Sequence, residues 1–160
     1  MNNTENKGIK MLIIVAALGY FVDVFDLLLF GMVRVSSLRS LGVDESMLEK
    51  IGLRLDNWQF IGMILGGIFW GILGDKKGRL SVLFGSIITY SIANTLNSFI
   101  HTIPQYEILR FVAGFGLAGE LGAGVTLVNE SLSKEKRGVA TAFVAGFGVL
   151  GAVFGCLIVL

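Results

Sequence analysis

The sequence predicts an all-α fold, a polytopic helical membrane protein, and three observations carry that prediction. The 160-residue chain is 54% hydrophobic and only 16% charged, with a mean hydropathy of +0.76. It contains one Pro, where the turns of a soluble surface ordinarily use several more. Its apolar residues gather into five runs, each close to the roughly 20 residues a helix needs to cross about 30 Å of hydrocarbon. No alternating ten-residue pattern points to a barrel, and little sequence is left over for a soluble domain.

The runs are residues 11–33, 55–73, 80–100, 108–128 and 139–160. The first follows Lys7 and Lys10 as the core of a signal peptide would. It is too long for one and holds two aspartates, so it reads as a retained helix. The connection 34–54 mixes Arg34, Arg39, Lys50 and Arg54 with Asp44, Glu45 and Glu49, and has room for a short surface helix starting near Asp44. The third run carries Asn94 and Asn97 on one face and the fourth carries Thr126, polar groups of the kind that hydrogen-bond between membrane helices. The fifth reaches Leu160 with no polar residue to close it. That reads as a chain cut inside a larger protein, or as a truncated reading frame.

Composition also narrows function. A single cysteine, Cys156, makes neither an internal disulfide nor a cysteine-based metal site, and a single histidine, His101, removes most hydrolytic and metal-dependent chemistry. No nucleophile and base stand together, so the expectation is a protein that is not an enzyme and needs no metal or cofactor. A formal charge of +1 gives no reason to expect a nucleic-acid partner. The Lys and Arg residues set the orientation. With the N-terminus cytoplasmic, that side collects Lys7, Lys10, Lys76, Lys77, Arg79, Lys134, Lys136 and Arg137, eight in all. The opposite side holds five: Arg34, Arg39, Lys50, Arg54 and Arg110.

Glycines crowd three of the runs. Gly62, Gly66, Gly67 and Gly71 form two successive G-x-x-x-G pairs in the second; Gly114, Gly116, Gly119, Gly122 and Gly124 lie in the fourth; Gly146, Gly148, Gly151 and Gly155 lie in the fifth. Such rows let helix backbones approach closely, and also let interfaces slide. Spacing alone does not separate these uses.

The charges inside the runs are more specific, because an ionisable group at bilayer depth costs about 3 kcal/mol or more and marks a functional site by default. There are four: Asp23, Asp26, Arg110 and Glu120. Asp23 follows Met11 by 12 residues, about 18 Å of helix and hence near the midplane. Asp26 shares its face, one turn on. With the fourth helix running inward, Arg110 lies near its outer end and Glu120 about 15 Å deeper. By depth alone, Asp26 is level with Arg110 and Asp23 with Glu120. Carboxylates gathered in a low dielectric cannot all ionise cheaply, so at least one is expected to hold a proton near neutral pH. The alternative is a buried Asp26–Arg110 ion pair that only fixes packing, with Asp23 and Glu120 neutral and hydrogen-bonded.

Between the second and third runs the chain reads Gly71-Ile72-Leu73-Gly74-Asp75-Lys76-Lys77-Gly78-Arg79. Asp75 at a helix C-terminus opposes the macrodipole, which calls for a partner, either a base or the N-terminus of another helix. Here the chain resembles the major facilitator superfamily, whose best-known signature is G-x-x-x-D-x-x-G-R between helices two and three. Leu80 stands where that family usually has another basic residue. A second stretch runs from Arg110-Phe111 through Gly114, Gly116, Gly119 and Glu120, then Asn129-Glu130 and Lys136-Arg137-Gly138. It is similar to the fourth helix and following loop of the metabolite:proton symporters and their sugar- and aromatic-acid-carrying relatives. The first helix, with Asp23 and Asp26 before Gly31, resembles that of the aromatic-acid symporters, with Val24 where those have Gly. The fifth lacks the signature of the drug:proton antiporters.

The resemblance implies the bundle of that superfamily, cut after the fifth of twelve transmembrane helices, with residues 1–160 a partial N-terminal domain. It implies a cavity lined by helices one and four, and a cytoplasmic gate built from Gly71, Asp75, Gly78 and Arg79 with Glu130, Arg137 and Gly138, closing on the opposite half. The expected function is secondary active transport in the plasma (inner) membrane: proton-coupled symport of a small organic acid or sugar by alternating access. Asp23, Asp26 and Glu120 are the proton-coupling candidates, and Arg110 the substrate or charge-pair candidate. The partners are a small-molecule substrate, the lipid bilayer and the missing C-terminal half of the same carrier; the proton gradient supplies the energy in place of a cofactor. An inactive truncated fragment and a non-transporting membrane receptor are the competing expectations.

Overall fold

A computed structural model describes residues 3–132 and 134–159. Five long helices follow one another: α1 (Asn3–Ser40), α2 (Leu48–Lys77), α3 (Arg79–Leu96), α4 (Ile103–Ser131) and α5 (Lys134–Val159), with no strand among the described residues. Among the described residues, four helical stretches are long and apolar enough to cross a membrane: Ile13–Ser40, Glu45–Lys77, Ile103–Leu127 and Arg137–Ile158. The third helix is shorter than the apolar run predicted it to be. Its 18 residues span about 27 Å, and from Asn97 the chain tightens into a 3-10 turn, Asn97–Phe99, before extending at Ile100. Asn97 caps α3 in helical conformation, with its N–H still bonded to the Ala93 carbonyl, and so keeps the face it shares with Asn94.

The connection expected at 34–54 is largely helical. Arg34 and Arg39 lie within α1, and Lys50 and Arg54 within α2. The short surface helix expected near Asp44 is a single 3-10 turn. Asp44, in an extended conformation, caps a 3-10 turn, Glu45–Met47, by accepting from the Ser46 amide, and that turn leads directly into α2. At its other end α2 carries Lys76 and Lys77 in the last turn, where cations favour the helix dipole. It stops at Gly78, whose N–H returns to the Gly74 carbonyl. Gly78 sits at φ 87° and ψ 148°, a region essentially reserved for glycine.

The described residues fall into two compact units. One joins Met1–Met32 with Gly124–Leu160, and the other is Val33–Ala123. In the first, α1 meets α5 through small residues. A Cβ at Gly151 would strike the Phe21 carbonyl and one at Gly148 the Tyr20 ring, while Gly155 faces Phe25. Phe21 and Phe154 pack edge to face at 5.8 Å.

In the second unit α2 and α4 pack backbone to backbone. A Cβ at Gly62 or Gly66 would strike the carbonyl of Phe111 or Phe115, and one at Gly114 the carbonyl of Gln59. Gly116 lies against the backbone of Ser86 and Tyr90 on α3. Trp70 fills the space left by Gly85 and Gly119, and its indole N–H donates to the Phe115 carbonyl at 2.8 Å. The large apolar side chains point the other way: Phe60, Ile64, Ile68 and Ile72 of α2 and Phe84, Ile88 and Ile92 of α3 are exposed, whereas Gln59, Ser86 and Arg110 are buried. Large apolar residues also pack inside, with Leu55 and Leu117 fully buried, so the unit is apolar on both sides, as a hydrocarbon solvent permits.

Candidate functional site

Asp23 and Asp26 belong to the first unit. Asp23 is 1% exposed and counts among the largest fully buried side chains of the described chain. Asp26, three residues further along the same helical face, is partly buried.

Arg110 and Glu120 belong to the second unit. Arg110 is 6% exposed, seven residues into α4. Its Nη2 donates to Oδ1 of Asn94 on α3 at 3.2 Å, and its Cζ lies 5.8 Å from the centre of the Tyr106 ring. Asn94 thus makes the interhelical hydrogen bond that its place on the third helix predicted. Tyr106 was not singled out in the sequence, although the spacing of one helical turn before Arg110 carries the signal. Gln59, buried on α2, was missed as well. Glu120 is partly buried and follows Gly119, the residue on which the Trp70 indole rests.

The residues expected to form a gate divide between the units. In the second, Asp75 pairs with Arg79 at 2.8 Å across the Gly78 turn, with Asp75 largely exposed. The partner that Asp75 required at a helix C-terminus is thus a base four residues away. Arg79 also occupies the space beside Gly74, where a Cβ would meet its Nη1 at 2.9 Å, while Gly71 has open surroundings. In the first unit, Glu130, Arg137 and Gly138 are exposed, and Arg137 Nε donates to the Leu132 carbonyl at 3.0 Å. The side chains of Asn129 and Lys136 in the same motif, and of Lys7, Lys10 and Lys134 in the charge count, lie outside the described residues.

At the opposite end of the second unit, ion pairs link separate helices. Arg34 at the end of α1 pairs with Asp56 of α2, and Arg54 of α2 with Glu107 of α4. Arg39 holds Glu45 at 2.7 Å on the surface. Beside Glu107, a recess of about 270 Å³ is lined by Trp58, Pro104, Ile108 and Phe111. None of these pairs was legible in the sequence, because partners as far apart as Arg34 and Asp56 meet only once the helices have packed.

Sequence comparison places this chain of long apolar helices in a known family. The sequence profile of the Major Facilitator Superfamily matches residues 16–160. A protein of Haemophilus influenzae named for metabolite transport is 36% identical over 94% of this chain and 37% of its own length. The sialic acid transporter NanX of Escherichia coli is 31% identical over 84% of this chain and 32% of its own. The niacin transporter NiaP of Acinetobacter baylyi is 29% identical over 90% and 32%. The chain spans about a third of the length of these relatives. It is an integral membrane protein, and it belongs to the Major Facilitator Superfamily.

Proposed function

We propose that this chain forms part of a secondary active transporter that couples proton entry to symport of a small organic acid by alternating access. The carrier resides in the plasma (inner) membrane with its N-terminus in the cytoplasm, in line with the bias of Lys and Arg between the two sides. The observation that carries the reading is the burial of two ionisable side chains, Asp23 at 1% and Arg110 at 6% exposure, in helices whose outer surfaces are hydrocarbon. Groups so costly at bilayer depth persist where they serve transport.

Arg110 is the anion-binding group, because a guanidinium presents a rigid fork of donors that matches a carboxylate. Relatives named for sialic acid and niacin, each of which carries a carboxylate, support an anionic solute. Asp23, Asp26 and Glu120 carry the proton, which a buried carboxylate accepts when its surroundings disfavour charge. Asp75 and Arg79, with Glu130, Arg137 and the glycines Gly71, Gly78 and Gly138, form the inward gate against the C-terminal half of the carrier. The test is uptake of radiolabelled nicotinate, N-acetylneuraminate and glucose into vesicles containing the full-length carrier, with and without an inward proton gradient. The expected result is gradient-driven accumulation of an acid that Asp23→Asn or Glu120→Gln abolishes. Equal uptake without the gradient would overturn the coupling.

A further inference from the structure

We propose that the recess between α2 and α4 seats one anionic phospholipid of the surrounding bilayer, with an acyl chain in the recess and the phosphate on Arg54 and Lys50. Lys50, Arg54 and Trp58 follow one another at intervals of four residues on α2, and all three side chains are exposed, so they form one stripe along the helix. Ile61 and Leu65, 44% and 49% exposed, continue it. From Lys50 to Trp58 is about 12 Å of helix. Over that distance the stripe passes from two cations to an indole and then to plain hydrocarbon, the order in which a lipid presents its phosphate, its interfacial region and its chains.

The recess lies beside this stripe. Its volume of about 270 Å³ is lined by Trp58 from α2 and by Pro104, Glu107, Ile108 and Phe111 from α4. Trp58 and Phe111 pack edge to face at 6.2 Å. Ile108 is 63% exposed and Trp58 39%, so the recess is reached from the outer surface of the unit. With four of its five lining residues apolar, it suits a hydrocarbon chain and not a polar solute.

Charge selects the lipid. The Glu107 side chain is only 16% exposed and pairs with Arg54 through Nε, whereas the Arg54 side chain is 55% exposed. The open guanidinium offers its remaining N–H donors to phosphate oxygens. Lys50 adds a second cation, and Glu49, one residue earlier, points away from the stripe. Two cations against one carboxylate favour a headgroup of net negative charge over a zwitterion.

Native mass spectrometry of the purified full-length carrier, titrated in detergent with dioleoyl phosphatidylglycerol, phosphatidylethanolamine or phosphatidylcholine, counts the lipids retained. The expected result is one phosphatidylglycerol held about tenfold more tightly than either zwitterionic lipid. Arg54→Gln lowers that affinity about tenfold. Ile108→Trp, which fills the recess and leaves the Arg54–Glu107 pair in place, lowers it several-fold for all three lipids. Glu107→Gln acts in the opposite direction: it frees Arg54 and tightens phosphatidylglycerol, which a purely structural ion pair would not do. Equal retention of the three lipids, retention untouched by both Arg54→Gln and Ile108→Trp, or no retained lipid overturns the proposal. Displacement of the lipid by inorganic phosphate alone would assign the rim to free anions and overturn it as well.

Discussion

Two neighbouring glycines of α2 have opposite surroundings. A Cβ at Gly66 would collide with the Phe115 carbonyl of α4, whereas at Gly67 nothing lies within 4 Å. The two successive G-x-x-x-G pairs are therefore used unequally: Gly62 and Gly66 form the contact with α4, while Gly67 and Gly71 lie on the side of the exposed Ile64, Ile68 and Ile72. The spacing marks where helices can approach, and the neighbouring helix decides where they do.

The comparison breaks most sharply with a pair of leucines. Gly66→Leu forces four carbon atoms into a backbone contact and is expected to cost about 3 kcal/mol or more, lowering the thermal midpoint of the purified carrier by several degrees. Gly67→Leu, on the open side, is expected to change stability by no more than about 0.5 kcal/mol. Equal loss in both would mean that the second row also carries a helix contact. Gly78→Ala comes next, since φ 87° with ψ 148° is strained for any side chain by about 1–3 kcal/mol. Its signature is a lower thermal midpoint, with disorder at the α2–α3 turn seen as faster amide exchange. Asp75→Asn has the smallest effect on stability, because the pair with Arg79 is exposed on the Asp75 side and such pairs contribute little. Its effect is expected in turnover, measured as a slower kcat for uptake with KM unchanged; an unaltered kcat would remove Asp75 from the gate.

Helix identity was legible because hydropathy over about 20 residues is a strong signal, but helix ends were not. α1 runs past Arg34 and Arg39 to Ser40, and α2 begins before Lys50 and Arg54, since charged residues sit comfortably in the last turns of a helix near a membrane surface. α3 ends early at Leu96 because the chain tightens into a 3-10 turn at Asn97. Within the candidate site, Asp23 and Arg110 stood out as charges in apolar runs, and both are buried. Asp75 showed its need for a base, though not that Arg79 meets it. Tyr106 carried a signal only in its spacing from Arg110, and Gln59 gave none, because a lone glutamine in a helix is ordinary until the packing encloses it. The Arg54–Glu107 pair depends on which helices are neighbours, and no single helix carries that information.

The most direct test of the central claim is to follow proton movement itself. Full-length carrier is placed in vesicles suspended in weakly buffered medium, and external pH is recorded as nicotinate or N-acetylneuraminate is added without any imposed gradient. The account predicts a substrate-dependent alkalinisation that tracks uptake of the labelled acid and disappears in Asp23→Asn. Accumulation of the acid with no accompanying change in pH would contradict it.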